Sequence, residues 1–345
     1  MAELFDILSC SKAEIEQYLT SVGEPKYRAK QIFTWLHSGK SFDEMTNVPK
    51  SLREHLKENA IIRAPEIEEK YVSRDGTVKY LLRLFDGELI EAVFMKYNHG
   101  NTVCISSEAG CPMGCKFCAS TLKGLTRKLT PSEMLGQVLT VEKDTKQRVS
   151  NIVMMGIGEP LDNYDNTVKF LRLVSDPDGM NIGLRHISVS TCGIVPGINK
   201  LRDEGMGITL SISLHASDDE TRSSIMPVNK KYPIAELLDA CYEYFDKTGR
   251  RISFEYTMIK GVNDSPVHAE RLGAVLRRHM KSSPVHVNLI PVNTVKERGF
   301  VRSDDATIAH FIEILAKRGI TATKRRSLGS DINASCGQLR NSKNH

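Results

Sequence analysis

From residue 102 onward the chain alternates between two hydrophobic periods. Short, β-branched apolar runs recur at 102–106, 151–155, 185–190, 208–214, 251–258 and 285–290. Between them lie longer segments with apolar positions three and four apart, near 130–146, 164–175, 196–204, 233–247, 266–281 and 304–318. The first pattern predicts buried strands and the second amphipathic helices. Thr130-Pro-Ser-Glu133 opens the first helix with a capping box and a proline at its first position. Strands alternating with helices imply right-handed crossovers and a parallel sheet. Six such units are too few to close an eight-stranded barrel. The expectation is therefore an α/β protein built on an open, partial (β/α)6 barrel over residues 102–326, with 321–325 extending one edge.

The segments before the barrel follow other rules. Residues 1–65 read as a small helical module. Capping boxes are expected at Ser11/Glu14, Ser41/Glu44 and Ser51/Glu54, with helix stops at Gly23 and Gly39. Tyr27, Ile32, Phe33, Trp35 and Leu36 form its apolar face, while Lys26, Arg28 and Lys30 are candidates for RNA contact. Residues 66–101 carry two alternating runs, 78–84 and 88–96, joined at Asp86-Gly87 as a hairpin. Residues 327–345 have neither period, and Gly329 and Gly337 predict a mobile tail.

Composition narrows the class without fixing it. No apolar run approaches the roughly 18 residues that a membrane span requires. The first residues lack a basic stretch followed by an apolar one, so no secretion signal is expected. Eight cysteines in such a chain point to thiol or metal chemistry in a reducing cytoplasm, not to a disulfide framework. The net charge of +5 is modest. Its placement says more: Lys116, Lys123, Arg127 and Lys128 flank a cysteine loop, and Lys230, Lys231, Arg250, Arg251, Lys324, Arg325 and Arg326 add further clusters. That favours a phosphate-bearing substrate.

Cys111-Pro-Met-Gly-Cys115-Lys-Phe-Cys118 carries the strongest chemical signal. Three thiols on so short a loop suit an iron–sulfur cluster with one open iron, or a zinc site completed from elsewhere. Parallel sheets bind ligands at the carboxyl ends of their strands. There the chain offers Gly156, Gly158 and Glu159, then Ser190, then Ser213-Leu214-His215, and finally Asn288 and Asn293. Glu159 suits an ammonium group, and the set together suits an amino-acid-like, ribose-bearing ligand. Cys104 lies on the strand feeding the loop and Cys336 in the tail. Cys10, Cys192 and Cys241 read as small buried hydrophobes.

The C-x3-C-x2-C spacing resembles the cluster loop of radical S-adenosylmethionine (SAM) enzymes. Cys104-Ile-Ser-Ser-Glu-Ala-Gly-Cys111, Met155-Gly-Ile-Gly-Glu-Pro160, Ser213-Leu-His215, Asn288-Leu-Ile-Pro-Val-Asn293 and Ala334-Ser-Cys336-Gly-Gln-Leu339 resemble the RlmN/Cfr family of RNA methyltransferases. So does Gly23-Glu-x-x-Tyr-Arg28 in the helical module. The resemblance implies a [4Fe-4S] cluster on Cys111, Cys115 and Cys118. It implies SAM contacts from Gly158, Glu159, Ser190, Ser213, Leu214, His215 and Asn293, with two SAM molecules used per turnover. Cys336 would carry a methyl group to adenosine, Glu91 would accept the ring proton, and Cys104 would release the product through a transient disulfide with Cys336. Expected partners are 23S rRNA, tRNA and an electron donor such as flavodoxin or ferredoxin, acting on a monomer. The expected product is C2-methylated adenosine, with C8 methylation the alternative.

Overall fold

The computed structural model describes residues 4–281 and 283–339. The first three residues of the N-terminal module and residues 340–345 of the tail, including Arg340, lie outside that range. The module contains β1 (Phe5–Asp6), α1 (Lys12–Ser21), α2 (Arg28–His37), α3 (Lys50–Asn59) and β2 (Ala60–Ile61), with β1 and β2 paired in parallel. Two of the three expected capping boxes form, Ser11 with Glu14 and Ser41 with Glu44. The third does not. Pro49 occupies the N-cap of α3, its fixed φ suited to a helix entry, so Ser51 falls inside the first turn and Glu54 turns to Lys57 instead.

The module is docked on the barrel. Ser9 Oγ accepts from the Ser132 backbone N–H, and Lys12 pairs with Asp176 and Asp178. Lys30 also pairs with Asp178, and Arg28 with Glu24. Two of the three cations expected to face RNA thus have carboxylate partners within the chain. Lys26 is exposed.

β3 (Glu66–Val72), β4 (Val78–Arg83) and β5 (Leu89–Tyr97) form an antiparallel extension that includes the expected hairpin. β3 was not legible in the sequence. It is an edge strand, mostly exposed, so its Glu-rich stretch carries no buried alternation. β5 pairs with β6 (Gly100–Cys104), which joins the extension to the barrel. A short ribbon of β7 (Glu108–Gly110) and β8 (Leu125–Lys128) then flanks the cysteine loop.

The crossovers follow in order: α4 (Pro131–Thr145), β9 (Asn151–Met154), α5 (Tyr164–Val174), β10 (Ile187–Thr191), α6 (Val195–Asp203) and β11 (Thr209–Ser213). Next come α7 (Asp219–Ile225), α8 (Ile234–Thr248), β12 (Ile252–Met258), α9 (Pro266–Met280), β13 (Val285–Pro291), α10 (Asp305–Lys317) and β14 (Thr321–Lys324). Among the described residues, one sheet runs β14-β13-β12-β11-β10-β9-β6-β5-β4-β3, parallel from β14 to β6 and antiparallel beyond. Its two ends do not meet, which gives the open, partial barrel expected, with β14 on the edge. Strand interiors such as Ile152, Val189, Leu210, Phe254 and Val287 are fully or almost fully buried. The core runs continuously from the N-terminal module into the barrel. Among the described residues, no helix is long and apolar enough to cross a membrane.

Candidate active site

The cysteine loop is held at both ends. After Cys104, the backbone of Ser106 is clamped by Gln137, which accepts from its N–H at 2.8 Å and donates to its carbonyl at 2.9 Å. Ser106 Oγ donates to the Glu91 carbonyl and receives the Ile157 N–H, tying three strands together. The β7–β8 ribbon then fixes Cys111, whose N–H donates to Gly124 O at 2.9 Å. Gly110 has φ +81°, and a Cβ there would lie 2.0 Å from that same oxygen, so no other residue fits without moving the loop.

Cys111, Cys115 and Cys118 line one cavity that is partly open to solvent. Burial pushes the Cys115 thiol up to about 12 and raises Cys111 and Cys118 as well. Iron binding must therefore displace their protons. Among the described residues no three His, Cys, Asp or Glu converge on a single-ion site. Arg298 supports the loop by donating to Thr121 Oγ1 at 2.7 Å and the Cys118 carbonyl at 3.3 Å.

The strand ends supply the opposite wall. Gly158, Glu159, Ser190, Ser213, His215 and Asn293 all line this cavity, whereas Leu214 is fully buried in the core. Gly158 has φ +106°, and a Cβ there would fall 2.6 Å from Glu108 Cβ; this glycine serves a close approach between loops. Glu159 Oε2 accepts from Cys192 N–H at 2.7 Å and Oε1 from Leu161 N–H at 3.0 Å, so both oxygens are held in place. Its own N–H donates to Glu108 Oε2 at 2.8 Å. Burial raises both carboxyls, Glu108 to about 8, which favours its protonated form. His215 Nδ1 accepts from Thr257 N–H at 2.9 Å, which leaves the proton on Nε2, and burial drops its pKa to about 3. A neutral imidazole packed edge-on to Phe117 thus borders the cluster loop.

Cys336 stands between two cavities. It lines the first one with the three loop cysteines, and also a second of about 540 Å³ that contains Cys104. Met155, Ile290, Asn293 and Arg325 are shared by both. The expectation of a loose tail requires revision for the described residues. Gly329, Asn333 and Gly337 adopt left-handed turns, and the segment is pinned at each end. Asp331 accepts from Ser73 Oγ at 2.5 Å and Arg74 N–H at 3.2 Å, and Asp75 accepts from Gly329 N–H at 2.9 Å. At the other end, Ala119 N–H donates to Gly337 O, Ser120 Oγ to Leu339 O, and Asn293 Nδ2 to Cys336 O at 2.9 Å. Asn293 therefore holds the tail as well as facing the cavity.

Glu91 is buried, contrary to the usual solvent-facing strand glutamate, and pairs with Lys79 at 3.4 Å. Asn288 is drawn off to Glu255, to which its Nδ2 donates at 2.8 Å.

Several residues at the site gave no signal in the sequence. Arg222 is fully buried on α7 and donates to Leu214 O, Ser213 O, Cys192 O and Asn229 Oδ1. Cys192 lines the cluster cavity beside Glu159. Arg325, counted among the basic clusters, points inward. It meets Met155 Sδ at 3.5 Å and Glu255 at 3.5 Å. Other cations of the basic clusters are also paired: Arg127 with Glu133 and Asp86, Lys128 with Asp162, Lys324 with Asp305.

The comparisons with known proteins agree with one another. The Radical SAM superfamily matches residues 105–271, and the ribosomal RNA large subunit methyltransferase N-terminal domain matches residues 5–62. A protein of Alkaliphilus oremlandii described as a probable dual-specificity RNA methyltransferase RlmN is 54% identical over 98% of each chain. A Clostridium novyi protein of the same description is 52% identical over 97% of each. The crystal structure of a radical SAM methyltransferase from Sphaerobacter thermophilus superimposes with a TM-score of 0.93 at 43% identity. It covers 97% of this chain and 99% of its own.

Proposed function

Because the chain belongs to the RlmN family of radical SAM RNA methyltransferases, we propose that it methylates C2 of an adenosine in 23S rRNA and of one in the tRNA anticodon loop. Each turnover consumes two SAM molecules. Adenine C2 is an electrophilic aryl carbon, so direct displacement from SAM is chemically poor and a different route is needed. Cys111, Cys115 and Cys118 would hold a [4Fe-4S] cluster, which supplies one electron to SAM and hence a carbon radical able to abstract hydrogen from a methyl group.

The chain's own residues do the rest. Cys336 takes a methyl group from one SAM, forming an S–CH3 bond as the sulfonium–carbon bond breaks and the thiol proton leaves. Hydrogen is then removed from that methyl, the carbon bonds to the ring, and the ring adduct gives up one electron to the electron carrier as Glu91 accepts the ring proton. Cys104 attacks the Cys336 sulfur, an S–S bond forms, and the sulfur–carbon bond to the product breaks. Gly158, Glu159, Ser190, Ser213, Leu214, His215 and Asn293 are assigned to SAM, Leu214 through its backbone alone. Residues 1–65 are assigned to RNA binding. A flavodoxin or ferredoxin is assigned as electron donor to a monomeric, cytoplasmic enzyme.

The observation that carries this reading is Cys336 lining both the cavity of the three loop cysteines and the cavity of Cys104. Peptide mass spectrometry after expression should find a methyl group on Cys336, and a nucleoside digest after reaction should yield 2-methyladenosine. Product formation by Cys336→Ser at the normal rate would refute the sulfur relay, and 8-methyladenosine as sole product would refute the regiochemistry.

A further inference from the structure

Lys79 of β4 pairs in register with Tyr71 of β3 on one side and Val93 of β5 on the other, and Val93 pairs with Cys104. Residues aligned across neighbouring strands share a face, so Lys79 stands on the face that carries Cys104. Glu91, two positions from Val93 on β5, is its diagonal neighbour there. The Lys79 ammonium lies 3.4 Å from Glu91 Oε1, with side chains 9% and 1% exposed. It also lies 5.1 Å from the Tyr71 ring centre and 3.5 Å from the Asn333 carbonyl of the tail. Lys79, Glu91, Asn333 and Gln338 border one small cavity together with Ala119, next to Cys118.

A carboxylate this deep loses the hydration that favours its charge, and it takes up a proton unless a nearby cation compensates. A protonated carboxyl cannot accept the ring proton. We propose that Lys79 is a positioning residue that keeps Glu91 ionised inside the protein, and so sets the pH at which the adenine ring is deprotonated. The proposal rests on Glu91 being the base. The proton passes from the ring carbon to a Glu91 carboxylate oxygen, leaving a neutral carboxyl beside the Lys79 ammonium. It leaves to solvent once the product has gone. Among the described residues, the titratable groups around Glu91 include Lys79 on β4, with Tyr71 of β3 behind it, and Lys296 after β13, while Asn333 and Gln338 of the tail border the same cavity as neutral groups.

The test uses the full-length enzyme with its cluster reconstituted, SAM, an RNA substrate and dithionite as reductant. Methyl loading of Cys336 and methyladenosine formation are followed against pH in Lys79→Met, Lys79→Arg and Glu91→Gln. Lys79→Met should load Cys336 normally, yet the acid limb of product formation should move upward by at least one pH unit. A displacement of that size makes the rate on the acid side about tenfold lower than wild type at the same pH. Lys79→Arg should restore the wild-type limb. Should Lys79→Met fail to load Cys336, Lys79→Gln, which keeps a hydrogen bond but no charge, carries the same expectation. A rate lowered equally at every pH, or unchanged, overturns the role of Lys79 while Glu91→Gln still stalls. Normal turnover by Glu91→Gln overturns the base assignment itself.

Discussion

Replacing Arg222 with Met should loosen the SAM-facing rim along with the fold. The guanidinium is completely buried. Nε donates to Leu214 O at 3.0 Å, Nη2 to Cys192 O at 2.7 Å and Ser213 O at 3.1 Å, and Nη1 to Asn229 Oδ1 at 2.9 Å. Methionine fills similar length without a donor, so four backbone carbonyls, Tyr232 O at 3.4 Å among them, and one amide oxygen lose a partner. At about 1 kcal/mol for each acceptor left unpaired, the gross cost is about 5 kcal/mol. Burial lowers the Arg222 pKa, so deleting the buried charge recovers part of this. A net loss of about 2–3 kcal/mol should lower Tm by roughly 3–4 °C in a chain this long. Cys192, Ser213 and Leu214 end the two strands at the centre of the cavity, so SAM affinity should fall about tenfold, the equivalent of about 1.4 kcal/mol. Arg222→Lys should restore only part of the effect, because an ammonium lacks the planar fork. Thermal unfolding and a SAM titration of the reconstituted enzyme read the two effects separately. Unchanged Tm would refute the accounting, and lost Tm with full SAM affinity would refute the link to the rim.

Three further outcomes are expected. Gly110→Ala, whose Cβ would sit 2.0 Å from Gly124 O at φ +81°, should bind less iron than wild type, as read by iron analysis after reconstitution. Asp331→Ala removes two hydrogen bonds that dock the tail at the β3–β4 turn, so product formation should fall by about twofold to tenfold while iron content stays normal. The raised Glu108 pKa has a definite sign: the folded state holds a proton that the unfolded state releases. Stability is then greatest below the ordinary glutamate value and declines as pH rises toward about 8. Denaturant midpoints should show that decline in wild type and a flatter profile in Glu108→Gln.

The barrel was legible because most of its strands are short β-branched runs with at least one face buried and its helices bury an apolar stripe, so hydrophobic period alone located them. The exceptions are informative. β3 is an exposed edge, and α7 is a single short element whose key residue is a buried arginine; neither leaves a periodic trace. The cysteine loop and the strand-end residues were legible because their chemistry is local in sequence. The inward turn of Arg325 was not, because a cation after an edge strand looks the same in sequence whether it meets solvent or Glu255. Glycines in the tail mislead for a related reason. Gly329 and Gly337 suggest freedom in the sequence, yet each occupies a left-handed turn that lets the tail fold back on the β3–β4 turn and the cluster loop.

A docked tail is compatible with a relay because the two cavities already share a wall, so the sulfur of Cys336 need not travel far to serve both. What such an arrangement requires is that Cys104 stay unreactive until the adduct exists, since early attack would form the disulfide without a product. Burial provides that restraint by pushing the Cys104 thiol up to about 12, where little thiolate is present at neutral pH. Arg325 opposes it, lowering Cys104 from within the same cavity. Cys336 itself is the strongest influence favouring the Arg325 charge, ahead of the burial that opposes it and of Glu255. One guanidinium therefore senses both sulfurs. In the proposed relay, alkylating Cys336 removes a group whose charge would raise the Cys104 thiol, while Arg325 continues to lower it.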